Sequence, residues 1–331
     1  MGKKGRAQTL LEYAATRALL SGLGLLPRSA AVAAGRGMGR AAYALAGGLR
    51  RTGLRNLELA FPELSGAERE RLLRASFRSL GRQLGEVSQF PRATPERLRE
   101  AVEYDAEDVK LLDVARERGR GVIFLTGHLG AWELLCFAHS VFYEPLSFLV
   151  RPIDNPLVEE LVESLRTRFG NEPIDKKSAA RRAMKLLRDG GTLGVLADLN
   201  SQEREGVFVP FFGHLACTTA GVATLALRTD ATVIPCFAPW DEARGKFVFR
   251  GGPVLELVRT GDHARDVEVN TARFTAAIES YIRRFPDQWL WIHKRWKTRP
   301  PGEPDLYVKP QVAPSPQRLA TPTPTEKIFK T

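Results

Sequence analysis

Residues 122–133 read VIFLTGHLGAWE: an apolar run, a turn that holds two glycines and a histidine, and the start of a helix. The apolar run predicts a buried strand. His128 lies just past this strand, in the position where open α/β sheets hold their ligands. Gly127 and Gly130 flank it, as expected where the backbone turns sharply or a ligand comes close. The stretch therefore predicts a strand, a ligand-binding turn and a helix in succession.

On both sides of this stretch, apolar strands alternate with helices. The predicted strands are 122–125, 146–150, 192–197, 232–237 and 246–249. The predicted helices are one that opens with a capping box at Ser65, a short one that opens at Thr94, 106–118, 132–139, 156–169, 178–188, 218–228 and 267–285. Residues 206–227 are uncharged except for one histidine and are expected to form a buried loop followed by a core helix. This alternation predicts an α/β fold with a mostly parallel central sheet flanked by helices.

Basic charge is concentrated at the N-terminus of the chain. The 331 residues carry a formal net charge of +11, and residues 1–60 hold ten Lys and Arg against two Glu among many Leu and Ala. Basic residues interleaved with Leu suit an anionic membrane surface better than nucleic acid. The longest uncharged run before Arg50 has ten residues, too few for a membrane span. We therefore expect an N-terminal helical segment in the membrane interface, with a cleaved signal peptide or a solvated basic surface as alternatives.

Composition divides the chain into three parts. Residues 1–60 are the basic, hydrophobic membrane-anchoring segment, 61–302 the main α/β domain, and 303–331 a Pro-rich tail that is expected to be disordered. The three cysteines are too few and too scattered for a disulfide framework or a zinc site. The sequence holds no nucleotide-binding loop, metalloprotease motif or serine-hydrolase elbow. Neither a metal nor a cofactor is expected.

The spacing of His128 and Glu133 allows them to meet only if the histidine lies outside the helix. On one continuous helix, residues five apart are about 140° out of phase. With His128 in the turn and Glu133 on the first helical turn, the carboxylate can reach back to the imidazole. A histidine held by a carboxylate is a general base of fixed orientation. A purely structural His–Glu pair at a helix start is the alternative.

Several motifs in order carry a family resemblance. The H-x4-E spacing within TGHLGAWE resembles the signature of the lysophospholipid acyltransferase superfamily, and more specifically that of the late lipid A acyltransferases of the lauroyl and myristoyl type. The further matches are NL at 56–57, AFPE at 60–63, RP at 151–152, DNP at 154–156, GVFVPFFG at 206–213 and WLWIHKRWKTRP at 289–300. The sequence departs from the family at Leu199, because these enzymes often carry Gln after the residue that corresponds to Asp198.

The resemblance implies a membrane-associated O-acyltransferase on the cytoplasmic face of the cell inner membrane. The donor would be an acyl carrier protein thioester, with a coenzyme A thioester left open, and the acceptor a hydroxyl of a glycolipid, first of all a lipid A precursor. It implies no nucleic acid partner. His128 would take the proton of the attacking hydroxyl and Glu133 would orient the ring, with direct transfer preferred over an acyl-enzyme. Cys136 is the alternative nucleophile; a buried core thiol is the other reading of it.

Several residues outside this turn are further candidates for substrate binding. Arg151 follows a strand end and would bind a phosphate or polarise the thioester oxygen, or else form a surface ion pair. Asn155 would contact substrate or cap the helix that starts at Pro156. Asp198 ends a strand on the same sheet edge as His128, either in the site or in a structural turn.

Aromatic and basic motifs add two more candidate surfaces. Phe211 and Phe212, with Phe208, would shape the acyl pocket or belong to the ordinary core. The basic residues of 293–297 would meet the acidic carrier protein or a lipid phosphate, or form a solvated cationic patch.

Other functions of the same residues remain open. A hydrolase would use the same His128–Glu133 pair with water in place of the hydroxyl, and a non-catalytic lipid-binding protein would not need it. Within the transferases, an acylated mannoside, another glycolipid or an amino-acid lipid would be alternative acceptors.

Overall fold

Ten strands form an eight-stranded central sheet and a separate hairpin in the computed structural model, which describes residues 5–150, 153–175 and 179–308. The strands are β1 (Val102–Tyr104), β2 (Val122–Thr126), β3 (Ser147–Val150), β4 (Glu172–Asp175), β5 (Thr192–Leu196), β6 (Gly206–Phe211), β7 (His214–Thr219), β8 (Thr232–Phe237), β9 (Trp240–Asp241) and β10 (Lys246–Gly251). The central sheet has the order β1-β10-β8-β2-β5-β3-β4, and β9 pairs with β10.

Strands β8, β2, β5, β3 and β4 are parallel to one another, and β10 joins β8 in antiparallel fashion. The sheet is therefore mixed but mostly parallel, as the alternation of strands and helices predicts. All five residues of β2 are buried, which is typical of a strand covered on both faces.

Eleven helices surround the sheet in the described part of the chain. They are α1 (Arg6–Gly24), α2 (Arg28–Leu45), α3 (Gly47–Ala60), α4 (Gly66–Ser88), α5 (Pro95–Ala101), α6 (Ala106–Glu117), α7 (Trp132–Phe142), α8 (Pro156–Arg166), α9 (Ala179–Arg188), α10 (Gly221–Thr229) and α11 (His263–Arg284). The predicted starts of α4 and α5 are confirmed: Ser65 and Glu68 form the capping box, and the Thr94 hydroxyl accepts the amide of Arg97.

Strand residues alternate between two apolar layers on opposite faces of the sheet. Leu193 and Val195 of β5 belong to the layer that includes side chains of α9, α10 and α11. Phe124 of β2 and Phe148 of β3 belong to the layer that includes side chains of α5, α6 and α7. The predicted helices on both faces are confirmed.

The predicted loop in residues 206–217 is wrong, because a two-stranded hairpin, β6–β7, occupies this segment. Its two-residue turn, Phe212-Gly213, has φ angles of 49° and 76°. Two left-handed residues give a turn whose twist matches that of paired strands. Strand β7 continues to Thr219, so α10 begins at Gly221 instead of residue 218.

The N-terminal segment folds into α1, α2 and α3 against α4. Gly35 and Gly39 of α2 lie directly on the backbone of α4, where a Cβ atom would overlap the carbonyl oxygens of Gly81 and Phe77. Over the part of the chain that is described, no helix is long and apolar enough to cross a membrane. The helical character of the segment is thus observed, and the tail beyond residue 308 lies outside the described residues.

Candidate active site

The carboxyl ends of β2 and β5 bring two polar residues together. The strands are neighbours in parallel register, with Thr126 opposite Leu196. The amide of Ala197 also donates to the carbonyl of Thr126 at 3.0 Å. Because the pairing continues to the ends of both strands, the residues that follow them, His128 and Asp198, lie side by side.

Asp198 holds His128 by two hydrogen bonds. Its Oδ1 lies 2.8 Å from the ring Nδ1, and its Oδ2 accepts the backbone amide of His128 at 2.7 Å. The same Oδ2 accepts the indole N–H of Trp289 at 2.7 Å. A carboxylate accepts only, so the pairing assigns the ring proton to Nδ1 and leaves the lone pair on Nε2. The aspartate side chain is fully buried, whereas the histidine side chain is 18% exposed.

The structure corrects the expectation that Glu133 orients the imidazole. Glu133 accepts two hydrogen bonds from the guanidinium of Arg166 in α8, one of them at 2.9 Å. It lies on the first turn of α7, and that turn faces α8. Asp198 takes the place that the sequence spacing assigned to Glu133, because the sheet register sets it beside His128.

Two glycines allow the turn around His128. A Cβ atom at Gly127 would lie 2.9 Å from Cγ of Asp198, so only glycine lets the carboxylate approach the turn. Gly130 has a φ of +63°, and a Cβ atom there would overlap the carbonyl of Ala238. Both glycines therefore shape the turn through contacts within the protein.

His128 and Asp198 shift each other's pKa. Burial alone would lower the pKa of His128, but the charge of Asp198 and its hydrogen bond outweigh burial and set the pKa of His128 above its usual range. Burial alone would raise the pKa of Asp198, but His128 and the indole of Trp289 hold it below its usual range. An ionised aspartate beside the ring is the form that stabilises an imidazolium.

The N-terminal helices support the site through the segment 289–296. Asn56 of α3 donates to the carbonyls of Trp291 and His293, the latter at 2.6 Å. Ser76 of α4 donates to the carbonyl of Trp289 at 2.7 Å. Because Trp289 donates in turn to Asp198, the first and last motifs of the chain meet behind the His128–Asp198 pair.

The basic motif near the C-terminus is only partly a surface patch. Lys294 and Lys297 are exposed, but Arg295 is fully buried and donates to the carbonyl of Cys217 at 2.8 Å and to the Thr218 hydroxyl. Burial lowers the pKa of Arg295 to about 10. This guanidinium therefore holds the β6–β7 hairpin instead of meeting a partner.

His293 lies inside the same region and is held as a neutral ring. Its Nε2 accepts the amide of Asn200 at 3.1 Å. Burial lowers the pKa of His293 to about 4. The ring is therefore uncharged at neutral pH and offers no cation for a phosphate.

Asn155 caps helix α8, which is one of the two roles predicted for it. Its side-chain oxygen accepts the amides of Leu157 and Val158 at 3.1 and 3.3 Å. Its side-chain nitrogen donates to the carbonyl of Thr9 at 2.9 Å, so it also ties α8 to α1. It is 2% exposed. The neighbouring Arg151 lies outside the described residues.

The predicted acyl-pocket residues Phe211 and Phe212 are packed in the core. Both are almost fully buried, and their rings contact each other with centroids 4.9 Å apart. Phe211 also contacts Trp289 and Trp296. These contacts place the two phenylalanines in the layer of α11, on the face of the sheet opposite α7.

An apolar slot, not suggested by any motif, opens on the α7 face beside His128. It is lined by Phe124, Thr126, Trp132, Glu133, Leu135, Cys136, Leu146, Phe148, Leu149, Val150, Arg166, Gly194, Val195 and Leu196, and measures about 60 Å³. The indole of Trp132 lines the slot and contacts the ring of His128, with centroids 5.0 Å apart. We call this cavity the acyl slot below.

Cys136 lines the slot without being an activated nucleophile. Its apolar surroundings raise the pKa of its thiol to about 12. A thiolate, which is the reactive form, is therefore scarce at neutral pH. This favours direct transfer over an acyl-enzyme on Cys136.

The sequence reasoning missed two members of this site. Arg166 is 33 residues from Glu133, and no local pattern marks it. Trp289 lies in a quoted motif, but only the fold shows that its indole N–H reaches Asp198.

Comparison with known proteins identifies the family of this chain. The family model described as bacterial lipid A biosynthesis acyltransferase matches residues 3–298. The chain belongs to the bacterial lipid A biosynthesis acyltransferases. It is therefore an acyltransferase, and the family resemblance predicted from the motifs is confirmed.

Three relatives from Escherichia coli (strain K12) illustrate the similarity. The lipid A biosynthesis lauroyltransferase is 32% identical over 262 residues, or 76% of this chain and 80% of the relative. The palmitoleoyltransferase is 29% identical over 261 residues, or 77% and 80%. The myristoyltransferase is 25% identical over 278 residues, or 84% of each chain.

Proposed function

We propose that this enzyme transfers a fatty acyl chain from an acyl carrier protein thioester to a hydroxyl of a lipid A precursor, on the cytoplasmic face of the inner membrane. The observation that carries the proposal is the His128–Asp198 pair beside the acyl slot. The relatives named for lauroyl, palmitoleoyl and myristoyl transfer support a fatty acyl donor and a lipid A acceptor.

In the proposed step, the substrate hydroxyl gives its proton to Nε2 of His128 while its oxygen attacks the thioester carbonyl carbon. A C–O bond forms, the tetrahedral intermediate then breaks its C–S bond, and the imidazolium returns the proton to the departing thiolate. Asp198 keeps the proton on Nδ1 and stabilises the imidazolium. General-base catalysis of this kind typically contributes 10²- to 10⁴-fold.

The acyl slot is proposed to hold the acyl chain of the donor. Its lining is mostly apolar, and the polar side chains in it include Thr126, two residues before His128, and the Glu133–Arg166 ion pair. Each buried methylene contributes roughly 0.8 kcal/mol. We propose that the Glu133–Arg166 ion pair frames the entrance, which is a binding role for Glu133 in place of ring orientation. Phosphate or thioester binding by Arg151 stays a prediction.

Membrane association is proposed from the surface of the N-terminal helices. Eight of the thirteen exposed large apolar side chains in the described residues lie between residues 10 and 49. Leu11 of α1 and Leu25, which follows α1, are each 71% exposed. Arg17 of α1 and Arg40 of α2 are exposed as well. Exposed leucines next to basic residues favour an interface that contains anionic lipid.

Replacing Leu11 and Leu25 together by Glu is expected to weaken vesicle binding more than tenfold. Burying one leucine side chain is worth about 1.5–3 kcal/mol, and two acidic groups oppose an anionic surface. Flotation with vesicles that contain an anionic phospholipid measures the effect, and high salt should not release all of the wild-type protein. Val114→Glu, at an exposed apolar position of α6 outside the N-terminal helices, is the control. Equal flotation of the double variant and the wild type would contradict a membrane contact here.

Acceptor-dependent thioester loss tests the function itself. The purified protein is incubated with lauroyl carrier-protein thioester, with and without a lipid A precursor, and the lipid products are identified by mass spectrometry. We expect loss of thioester only when the acceptor is present, together with one added acyl group on it. Turnover without acceptor would indicate a hydrolase. Acylation of another glycolipid or an amino-acid lipid in place of the lipid A precursor would mean that this other lipid is the acceptor. Faster turnover of lauroyl coenzyme A than of the lauroyl carrier-protein thioester would mean that coenzyme A, and not the carrier protein, delivers the acyl chain.

A further inference from the structure

Gly194 lies in the middle of β5, in the centre of the sheet, on the face that α7 covers. In the parallel register it is flanked by Phe124 of β2 and Phe148 of β3. All three residues line the acyl slot. Glycine weakens a strand interior, and it is typical of a place where another group approaches the backbone closely. Glycine at this position therefore weakens strand β5 and leaves a gap on the face of the sheet that α7 covers.

No neighbour in the structure requires glycine at this position. A Cβ atom on Gly194 would lie 3.4 Å from Cδ1 of Leu146 and 3.7 Å from Cβ of Phe148, which are ordinary contact distances. Its backbone lies outside the positive-φ region that favours glycine. An alanine would fit against the protein, and its methyl group would occupy space in the slot. What glycine provides here is therefore room for a ligand.

The slot has a polar end and an apolar end. At the polar end, Thr126 is 9% exposed and its hydroxyl is buried without a hydrogen-bond partner in the described structure. His128 follows two residues later. At the other end Leu146, which precedes β3, closes the slot over Gly194. This polarity fits a thioester carbonyl beside His128, beyond Thr126, and an alkyl chain that extends towards Gly194.

We propose that Gly194, with Leu146 behind it, sets the length of the acyl chain that the enzyme accepts, an inference that rests on the proposed function. The cavity is only about 60 Å³, so the chain must displace side chains as it enters and each carbon competes for space. The methyl group of an alanine at position 194 would occupy the space that the last carbons of the chain need. Each methylene kept out of the slot weakens binding roughly fourfold.

Competition between donors of different chain length tests this inference. Mixtures of decanoyl, lauroyl, myristoyl and palmitoyl carrier-protein thioesters are offered with the lipid acceptor, and the ratios of kcat/KM are read by mass spectrometry. We expect Gly194→Ala to change the ratio in favour of the shorter chains by about tenfold. Leu146→Val, which shortens the side chain at the closed end, is expected to change the ratio in the opposite direction.

Gly37→Ala is the matched control, because Gly37 is exposed on α2 and has no other atom within 4 Å of an added Cβ. Its chain-length profile should equal that of the wild type. A uniform fall of all four rates in Gly194→Ala, or an unchanged profile in both slot variants, would overturn the length-setting role while leaving the transferase function intact. Failure of the wild type to transfer any of the four chains would instead overturn the proposed function.

Discussion

His128→Ala is expected to lower the rate of acyl transfer by about 10²- to 10⁴-fold. The substitution removes the proposed base. Another imidazole near it, His293, is held neutral, with Nε2 engaged by the amide of Asn200. Rates are measured with carrier-protein thioester and lipid acceptor both saturating, so that a loss reflects the chemical step.

Two comparisons make this result specific. His263→Ala changes an exposed histidine at the start of α11 and should keep the wild-type rate. Circular dichroism of His128→Ala should match that of the wild type, because the ring lies past the carboxyl end of β2 and is partly exposed. A variant that folds and transfers acyl chains within threefold of the wild-type rate would exclude His128 as the base.

Asp198→Asn is expected to lower the transfer rate by a similar factor of about 10²–10⁴. An amide in place of the carboxylate no longer fixes the proton on Nδ1, and it removes the charge that stabilises the imidazolium. Because the indole of Trp289 and the amide of His128 both donate, the new amide keeps its oxygen towards them and turns its N–H towards Nδ1. This favours the tautomer with the proton on Nε2, which cannot accept a proton from the hydroxyl. Urea unfolding checks that the variant is folded.

The pH profile separates the role of the charge from that of packing. His128 must be neutral to accept a proton, so kcat/KM should fall as the pH decreases through the pKa of His128. That pKa lies above the usual value near 6.5, because the charge of Asp198 outweighs burial. Without this charge, the pKa of His128 decreases, and the acid limb of the profile moves to lower pH in Asp198→Asn.

Glu133→Gln is the comparison for this shift. Glu133 also raises the pKa of His128, but less than Asp198 does. We expect the acid limb to move in the same direction by a smaller amount, with a change in KM for the donor as Arg166 is released. A larger shift in Glu133→Gln than in Asp198→Asn would show that Glu133, and not Asp198, governs the imidazole.

Periodicity and caps predicted most of the elements correctly. The capping box at Ser65, the Thr94-Pro95 start and the apolar run before His128 carry local signals that tertiary structure does not override. The short strands β1, β4 and β9 were not predicted from the sequence, because two to four residues give too little alternation to distinguish a strand from a loop.

The partner of His128 could not be read from spacing along the chain. Glu133 is close in sequence, but α7 turns it towards Arg166 of α8. Asp198 is 70 residues from His128 and becomes its neighbour only through the pairing of β2 with β5. Strand order is a non-local property, and one sequence does not contain it in any single motif.

The same limit applies to the acyl pocket that was expected at Phe211 and Phe212. Phe211 and Phe212 are large and apolar in the sequence, and only the hairpin geometry shows that they pack against tryptophans of the C-terminal segment. The acyl slot depends on Gly194 and its two strand neighbours, and a lone glycine within a strand gives no hint of which residues lie beside it.

The glycine contact between α2 and α4 limits how this enzyme can be recombined with its relatives. Backbone lies on backbone at Gly35 and Gly81, so a side chain introduced at either glycine would push the two helices apart. A chimaera that exchanges residues 1–60 alone would therefore keep this contact only if the incoming helix also carries glycine at positions 35 and 39. Since α4 also holds the carbonyl of Trp289 through Ser76, a swap that included α4 would carry part of the support of the aspartate with it.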